Sequence, residues 1–490
     1  MEKNIATEKE IFGHPVGLFM LFFTEMWERF SYYGMKALLV LYLTAEVIGK
    51  NPGLGWSKED ASGLYGWYTM LVYITPIIGG LIADKYLGSR KTILIGAILM
   101  TLGHLSLAFE AMPTFYLGLG LLILGNGAFK PNISSLVGQL YSDSNDAKKD
   151  AGYTIFYQGI NVGAFLGTLL CGYFGETYGW HYGFGLAGIF MLIGYLQFKL
   201  SQDMFGELGK APKEIKVKED PQEPLTKIEK DRLIVVGVLA FFSIFFWAAF
   251  EQAGASMNIF ARDYTDRSLS GSGITIFKIV SGIISASPVI ILTFMFFSMY
   301  KAIGLIYSNS MKFMALTVVI LWCMIGYMIY DQFTAENIEV PATWFLTLNA
   351  LFIFTLAPVF SKIWVGLSKT KLNPNGPQKF ALGLIMLGIG FIPLVIGSSY
   401  IDIDPQYKAS MIFLTLAYLI HTLGELCLSP IGLSKVTELT PKAMTAFMMG
   451  VYFLSSSYAH YISGAIAKLT TSANAGDMPE PGFMTSMVEF

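Results

Sequence analysis

Residues Phe22 to Lys36 read FFTEMWERFSYYGMK, placing Glu25, Glu28, Arg29 and Lys36 inside an apolar stretch that runs from about Val16 to Leu43. A charge near the centre of a bilayer costs about 2.5 to 3.5 kcal/mol on insertion scales, so such residues survive where they face a protein interior and one another. On a helix advancing about 100° per residue, Glu25, Glu28, Arg29, Tyr32 and Lys36 share an arc of about 100°, which makes one polar face on an otherwise apolar helix. The rest of the chain is of the same kind. Its 490 residues are 54% hydrophobic and 14% charged, mean hydropathy is +0.54, and long apolar runs recur along its length. These features define an all-α polytopic membrane protein, because long apolar runs satisfy their backbone hydrogen bonds internally as helices, whereas barrel strands alternate over about ten residues.

Thirteen apolar segments are expected, near 16–43, 62–84, 91–110, 114–139, 151–176 and 182–203, then near 233–258, 275–301, 309–331, 342–367, 379–398, 408–434 and 442–468. Residues 1–205 form a first bundle of six helices. Residues 206–232, rich in Lys, Glu and Pro, form a hydrophilic cytoplasmic linker, and 233–490 form a second bundle. Lys85, Arg90, Lys91, Lys148, Lys149, the linker, Lys369, Lys371, Lys379, Lys435 and Lys442 fall in alternate loops, with Lys50, Lys58, Arg262, Arg267 and Lys408 the exceptions in the opposite ones, which places the former loops and the N-terminus in the cytoplasm; a cytoplasmic (inner) membrane is the expected location. The polar start MEKNIATEKE has no removable signal peptide. Cys171, Cys323 and Cys427 lie on separate segments without metal-ligand spacing and read as packing residues. A net charge of −2 identifies no partner, and nucleic acid is not expected.

The turn GLIADKYLGSRK, Gly80 to Lys91, resembles the G-x-x-x-D-x-x-x-G-x-R-[KR] loop of the major facilitator superfamily, in which glycines permit a tight turn while Asp and Arg clamp helix ends. That resemblance implies two six-helix bundles around a central cavity. Lys130, Glu251 and Glu425 add charges at comparable depth in later segments. Such groups are either structural ion pairs that pin helices together or a proton and substrate pathway.

Five motifs in chain order narrow the resemblance: E-x-x-E-R-F-x-Y-Y-G (Glu25 to Gly34), F-K-P (Phe129 to Pro131), F-Y-x-x-I-N-x-G (Phe156 to Gly163), F-E-Q-x-G (Phe250 to Gly254) and G-E-L-x-x-S-P-x-G-L-S (Gly424 to Ser434). Together they resemble the proton-dependent oligopeptide transporter family, also called the POT, PTR2 or peptide transporter family. The resemblance implies a proton-coupled symporter, not an enzyme, that imports di- and tripeptides by alternating access, with protons as coupling ion, no other cofactor and a monomeric functional unit. Glu25, Glu28 and Arg29, with Lys130, are implied to couple protonation to movement, and Glu251 to pair with Lys36. The peptide carboxylate is implied near Arg29, Lys36 and Lys130. Its amino group is implied near Glu425 and Asn349, with Glu251 a further candidate. Tyr32, Tyr33, Tyr73, Asn161, Trp247 and Tyr452 match positions lining the peptide site. The residue types agree with that chemistry: a zwitterionic peptide needs a cationic and an anionic pole, with aromatic walls for varied side chains.

This chain departs from the family pattern in several places. Lys36 stands where arginine is common, which removes a bidentate fork, and Tyr452 stands where tryptophan is usual. Two extra apolar segments, a hairpin over about 272–335, lie between the seventh and eighth facilitator helices, filling the 97 residues between Glu251 and Asn349. With few charges in it, the hairpin reads as a peripheral structural insertion. No twelfth facilitator helix is present in the sequence, which is expected either to continue beyond Phe490 or to be a thirteen-span protein with its C-terminus outside. Relatives of this family that carry nitrate, sugar conjugates or other small anions are rival readings for the cargo; Glu425 and Asn349, which suit an amino group, favour peptides. A membrane enzyme would need a nucleophile and base or a metal cluster, yet His14, His104, His181, His421 and His460 lie on different segments. A channel would not need acids and bases that exchange partners. His421, four residues before Glu425, shares its helix face as a pore-side or packing residue.

Overall fold

A computed structural model describes residues 5–109, 111–141, 146–211, 226–403, 407–441 and 445–472. Linker residues 212–225, Lys442 and everything after 472, including the region in which a twelfth helix was sought, lie outside the described residues. Thirteen long helices occur among the described residues: α1 Val16–Thr44, α2 Lys58–Ile82, α3 Ser89–Leu107, α4 Met112–Gln139, α5 Asp146–Tyr178, α6 Trp180–Leu200, α7 Lys227–Phe250, α8 Ser272–Ile303, α9 Ser308–Thr334, α10 Trp344–Leu367, α11 Gly376–Ile403, α12 Met411–Leu439 and α13 Thr445–Ser472. Among the described residues, eleven helical stretches are long and apolar enough to cross a membrane. Helices α1 and α13, of 29 and 28 residues, have the length but a more polar sequence. The protein is thus a multi-pass, all-helical membrane protein. Helix α7 begins six residues before the expected 233, because Thr226 and Glu229 form a reciprocal capping box, Thr226 N–H donating to the Glu229 carboxylate at 2.9 Å.

By contacts the chain divides into two compact units. The first comprises residues 1–38, 75–215 and 268–344, the second residues 39–74, 216–267 and 345–490.

In the first unit, α1 is buried at nearly every position, Tyr33 and Thr44 excepted. A stripe of glycines on α5 explains how its backbone comes so near. A Cβ on Gly163 would lie 2.3 Å from the carbonyl oxygen of Met26, and one on Gly167 would lie 2.1 Å from that of Phe30. Small residues four apart let two membrane helices approach backbone to backbone, and this contact fixes the face on which Glu25, Glu28 and Arg29 emerge. The facilitator-like turn closes through Gly88 at φ 76°, and Arg90 donates to the carbonyls of Gln202 at 3.0 Å and Gly206 at 2.9 Å. Arg90 therefore clamps the chain just beyond α6, as its motif predicts, while Asp84 stays exposed.

The inserted hairpin, α8 and α9, rests on α5 and α6. Tyr173 donates to Asp331, the hydroxyls of Tyr178 and Tyr327 meet at 2.7 Å, and Glu176 accepts from the backbone N–H groups of Ala342 and Thr343 at 2.9 Å each. Lys278 donates to the Phe333 and Ala335 carbonyls at 3.0 and 2.9 Å and so caps the end of α9. The hairpin's outer face exposes Ile276, Ile283, Ile290 and Phe294, side chains suited to lipid. Cys171 and Cys427 are buried as expected, whereas Cys323 on α9 is exposed and does not pack.

In the second unit, α11 and α12 pack through Gly383 and Gly424, where a Cβ would meet the opposite carbonyl at 2.8 and 2.7 Å. Phe246 of α7 packs with Phe380, Leu387 and Leu428. After Phe250 the α-helix tightens into a 3₁₀ turn, Glu251–Gly254, before a short helix Ser256–Asp263. Glu251 thus sits where the main helix ends. Thr265–Asp266 pairs in parallel with Ala409–Ser410.

Candidate functional site

The polar face of α1 forms a packed acid–base cluster within the first unit. Arg29 grips Glu28 with two donors, its Nη2 lying 2.6 Å from Oε1, and its Nε is 3.1 Å from Glu25 Oε1. Asn126 of α4 donates to Glu28 Oε1 at 2.9 Å. Glu25, Glu28 and Arg29 are all buried, none more than 2% exposed. Two acids therefore share one guanidinium, but unequally. Glu28 has a bidentate partner and an amide, whereas the buried Oε2 of Glu25 accepts no hydrogen bond among the described residues. Lys130 of α4 lies within electrostatic reach of both acids, and Lys36 within reach of Lys130. Arg29 stands 5.4 Å over the Tyr32 ring and the Lys36 ammonium 5.9 Å over the Tyr33 ring, so the two tyrosines give the bases an aromatic bed. Asn161 of α5 is buried and bonds its own helix, donating to the Tyr157 carbonyl at 3.2 Å.

The second unit holds the other expected residues. Asn349 of α10 donates to Glu425 Oε2 at 2.8 Å and to Thr422 Oγ1 at 3.1 Å, so Glu425 of α12 is held by an amide rather than by a cation. Tyr452 of α13 is buried, and its hydroxyl accepts from Ser243 of α7 at 3.1 Å. Trp247 packs edge-on against Phe246 and Phe250, each at 5.3 Å. Tyr73 of α2 lies against the His460 ring, centroids 4.2 Å apart. Glu251 Oε2 is 3.5 Å from both the Tyr65 hydroxyl and His460 Nδ1. The His421 ring packs beside Phe391 at 4.6 Å and Phe250 at 6.5 Å, which makes it a packing residue.

The sequence motifs do not point to Asn126, Thr422, Tyr65 or His460 as site residues. Asn126 lies four residues before Lys130 and Thr422 three before Glu425, so helical spacing from a motif residue could have found both. Tyr65 and His460 are far in sequence from Glu251, and nothing short of the fold joins them.

The POT-family profile, PTR2, matches residues 90–219 and 313–480. A di-/tripeptide transporter of Lactococcus lactis subsp. cremoris is 33% identical over 96% of this chain and 93% of its own length. The peptide transporter YePEPT of Yersinia enterocolitica subsp. palearctica is 31% identical over 94% of this chain and 89% of its own. Among solved structures, a peptide transporter POT in complex with sulfate aligns with a TM-score of 0.75 at 30% identity, covering 99% of this chain and 94% of that one. The two relatives and the solved structure each align over at least 94% of this chain. The chain belongs to the POT (PTR2) family.

Proposed function

We propose that this protein is a proton-coupled symporter that imports di- and tripeptides across the cytoplasmic membrane by alternating access, as a monomer with its N-terminus in the cytoplasm. The observation that carries the reading is the α1 cluster, in which two buried acids hold one arginine with Lys130 in reach. Protons and a carboxylate ligand would compete for the same bases there. The helices are assigned to a facilitator arrangement, with six in residues 1–205, a linker at 206–232 and the remainder in 233–490, and with α8 and α9 inserted between the seventh and eighth facilitator helices. The peptide carboxylate is assigned to Arg29, Lys36 and Lys130, and the amino group to Glu425 and Asn349. Tyr32, Tyr33, Tyr73, Asn161, Trp247 and Tyr452 are assigned to its side chains. Di- and tripeptide transport by the Lactococcus relative supports that cargo.

Proteoliposomes given an inward proton gradient are expected to accumulate labelled dialanine above its outside concentration, and to exchange it without a gradient. Accumulation of single amino acids or nitrate in place of dialanine would overturn the cargo.

The amino pole has its own test. Glu425→Gln keeps the Asn349 contact geometry but loses a charge-assisted hydrogen bond to an ammonium, worth about 1.5 to 3 kcal/mol. Peptides with a free amino terminus are expected to bind about ten- to a hundredfold more weakly, while N-acetylated peptides change little. Equal losses for both ligands would move the amino pole elsewhere.

A further inference from the structure

His460 has no role in the site described so far, yet the second unit builds a specific place for it. It is 2% exposed, its Nδ1 lies 3.5 Å from Glu251 Oε2, and its other flank is covered by the Tyr73 ring. The bracing is close on both sides. A Cβ on Gly66 of α2 would lie 2.8 Å from the Cα of Gly464 on α13, so the two helices meet at backbone distance one turn beyond His460. Ser457 adds a bond from α13 to the Met70 carbonyl at 2.9 Å. Next to Glu251, the Gln252 amide donates to the Ser463 carbonyl at 3.0 Å and its oxygen accepts from Ser256 at 2.7 Å, which locks the 3₁₀ turn onto α13. Glu251 and His460 are therefore held face to face by neighbours that are themselves hydrogen-bonded.

We infer that Glu251 and His460 act as one proton-carrying pair, His460 being a second proton-bearing residue of the coupling step. The inference rests on the symport reading above. A partly buried carboxylate beside a neutral imidazole can take a proton on either partner. Uptake at the ring gives a carboxylate–imidazolium pair with no net charge, and a second proton on Glu251 gives a neutral acid beside a cation. Where two such groups are strongly coupled they release protons in two macroscopic steps belonging to the pair, and an unperturbed imidazole titrates near pH 6.5. Ionisable groups of neighbouring elements also surround the pair in this unit. Tyr65 and Tyr73 come from α2; Tyr418 and Glu425 come from α12, Tyr418 through its hydroxyl to the Ala253 carbonyl at 3.3 Å and Glu425 within electrostatic reach of Glu251. The Lys468–Glu59 pair, at 3.2 Å, lies further along α13 and α2 in partly exposed positions. Lys36 is the partner that the family resemblance assigns to Glu251. In this scheme His460 lets Glu251 pass between paired and unpaired states in the range where imidazole titrates.

The test is gradient-driven dialanine uptake in proteoliposomes from about pH 5 to 8 for the wild type, His460→Gln and His460→Asn, each profile normalised to its own maximum. The wild type is expected to fall in two steps and the amide variants in one, with the alkaline limb displaced by about one pH unit or more, a tenfold change in proton concentration. Superimposable profiles would overturn the inference and leave the transport reading intact. A wild type that exchanges no dialanine would instead overturn that reading. Should neither amide variant exchange dialanine, the imidazole ¹⁵N resonances of the wild-type protein decide: one ring must titrate with a midpoint that moves in Glu251→Gln, and the absence of such a ring overturns the pair.

Discussion

Glu251→Gln is expected to abolish accumulation of dialanine driven by a proton gradient, and Glu25→Gln to do the same, while exchange without a gradient survives in at least one of them. A permanently neutral side chain imitates the protonated acid but has no proton to release, so the variant resembles the loaded state and cannot complete a driven cycle. The two acids reach that result by different local chemistry. Glu25 has one oxygen near Arg29 and a second, buried oxygen with no hydrogen bond among the described residues, so a proton can be accepted there without breaking a bond. Glu251 lies 3.5 Å from the Tyr65 hydroxyl and from His460 Nδ1, contacts that its neutral form can retain. In the proposed cycle, protonation of the α1 acids would loosen Lys130 for the peptide carboxylate, and loss of those protons would restore the attraction. Uptake against a concentration gradient, measured beside counterflow in the same vesicles, reads the two activities separately. If both variants concentrate dialanine at wild-type rates, these acids pin helices together and coupling belongs to other residues.

Arg29→Met is expected to cost about 3 to 5 kcal/mol of stability, the usual penalty for removing one partner of a buried pair and leaving the other without compensation. The geometry explains why the loss is large. Glu28 is wholly buried, takes two of the guanidinium's hydrogen bonds, and would keep the Asn126 amide and the Lys130 charge within electrostatic reach. Glu25 would lose its cation at the same time. Unfolding of the solubilised protein, followed by heat or denaturant, should show the decrease, and the triple variant Glu25→Gln, Glu28→Gln, Arg29→Met should recover most of it, because no buried charge of that triad then lacks a partner. A single-variant loss below about 1 kcal/mol, the level of an exposed pair, would mean that water reaches the cluster.

Much of the architecture was legible before any coordinate. Thirteen apolar segments became thirteen long helices because in a membrane the length of an apolar run and the demand for internal hydrogen bonding leave one solution. The polar face of α1 followed from helical periodicity, and with it the grouping of Glu25, Glu28 and Arg29. Arg90 was predicted to clamp a helix end and does so. What periodicity could not supply is which helix lies against which face. The start of α7 was misjudged by six residues because the hydropathy of Lys227 to Arg232 is low while the Thr226–Glu229 capping box sustains the helix.

By itself, then, the sequence determined an all-helical membrane protein, the helix faces that carry charge, and the family motifs. Only the tertiary structure decided the partners of those charges. The tie between Asn349 and Glu425, Asn126 as the second support of Glu28, the seating of α8 and α9 on α5 and α6, and the facing of Glu251 by Tyr65 and His460 all join residues distant in the chain. The physical reason is that a hydrogen bond or ion pair in the membrane interior depends on a few ångströms of approach between helices, and that approach is set by close packing at small residues such as Gly163, Gly167, Gly66 and Gly464, whose partners no local pattern names.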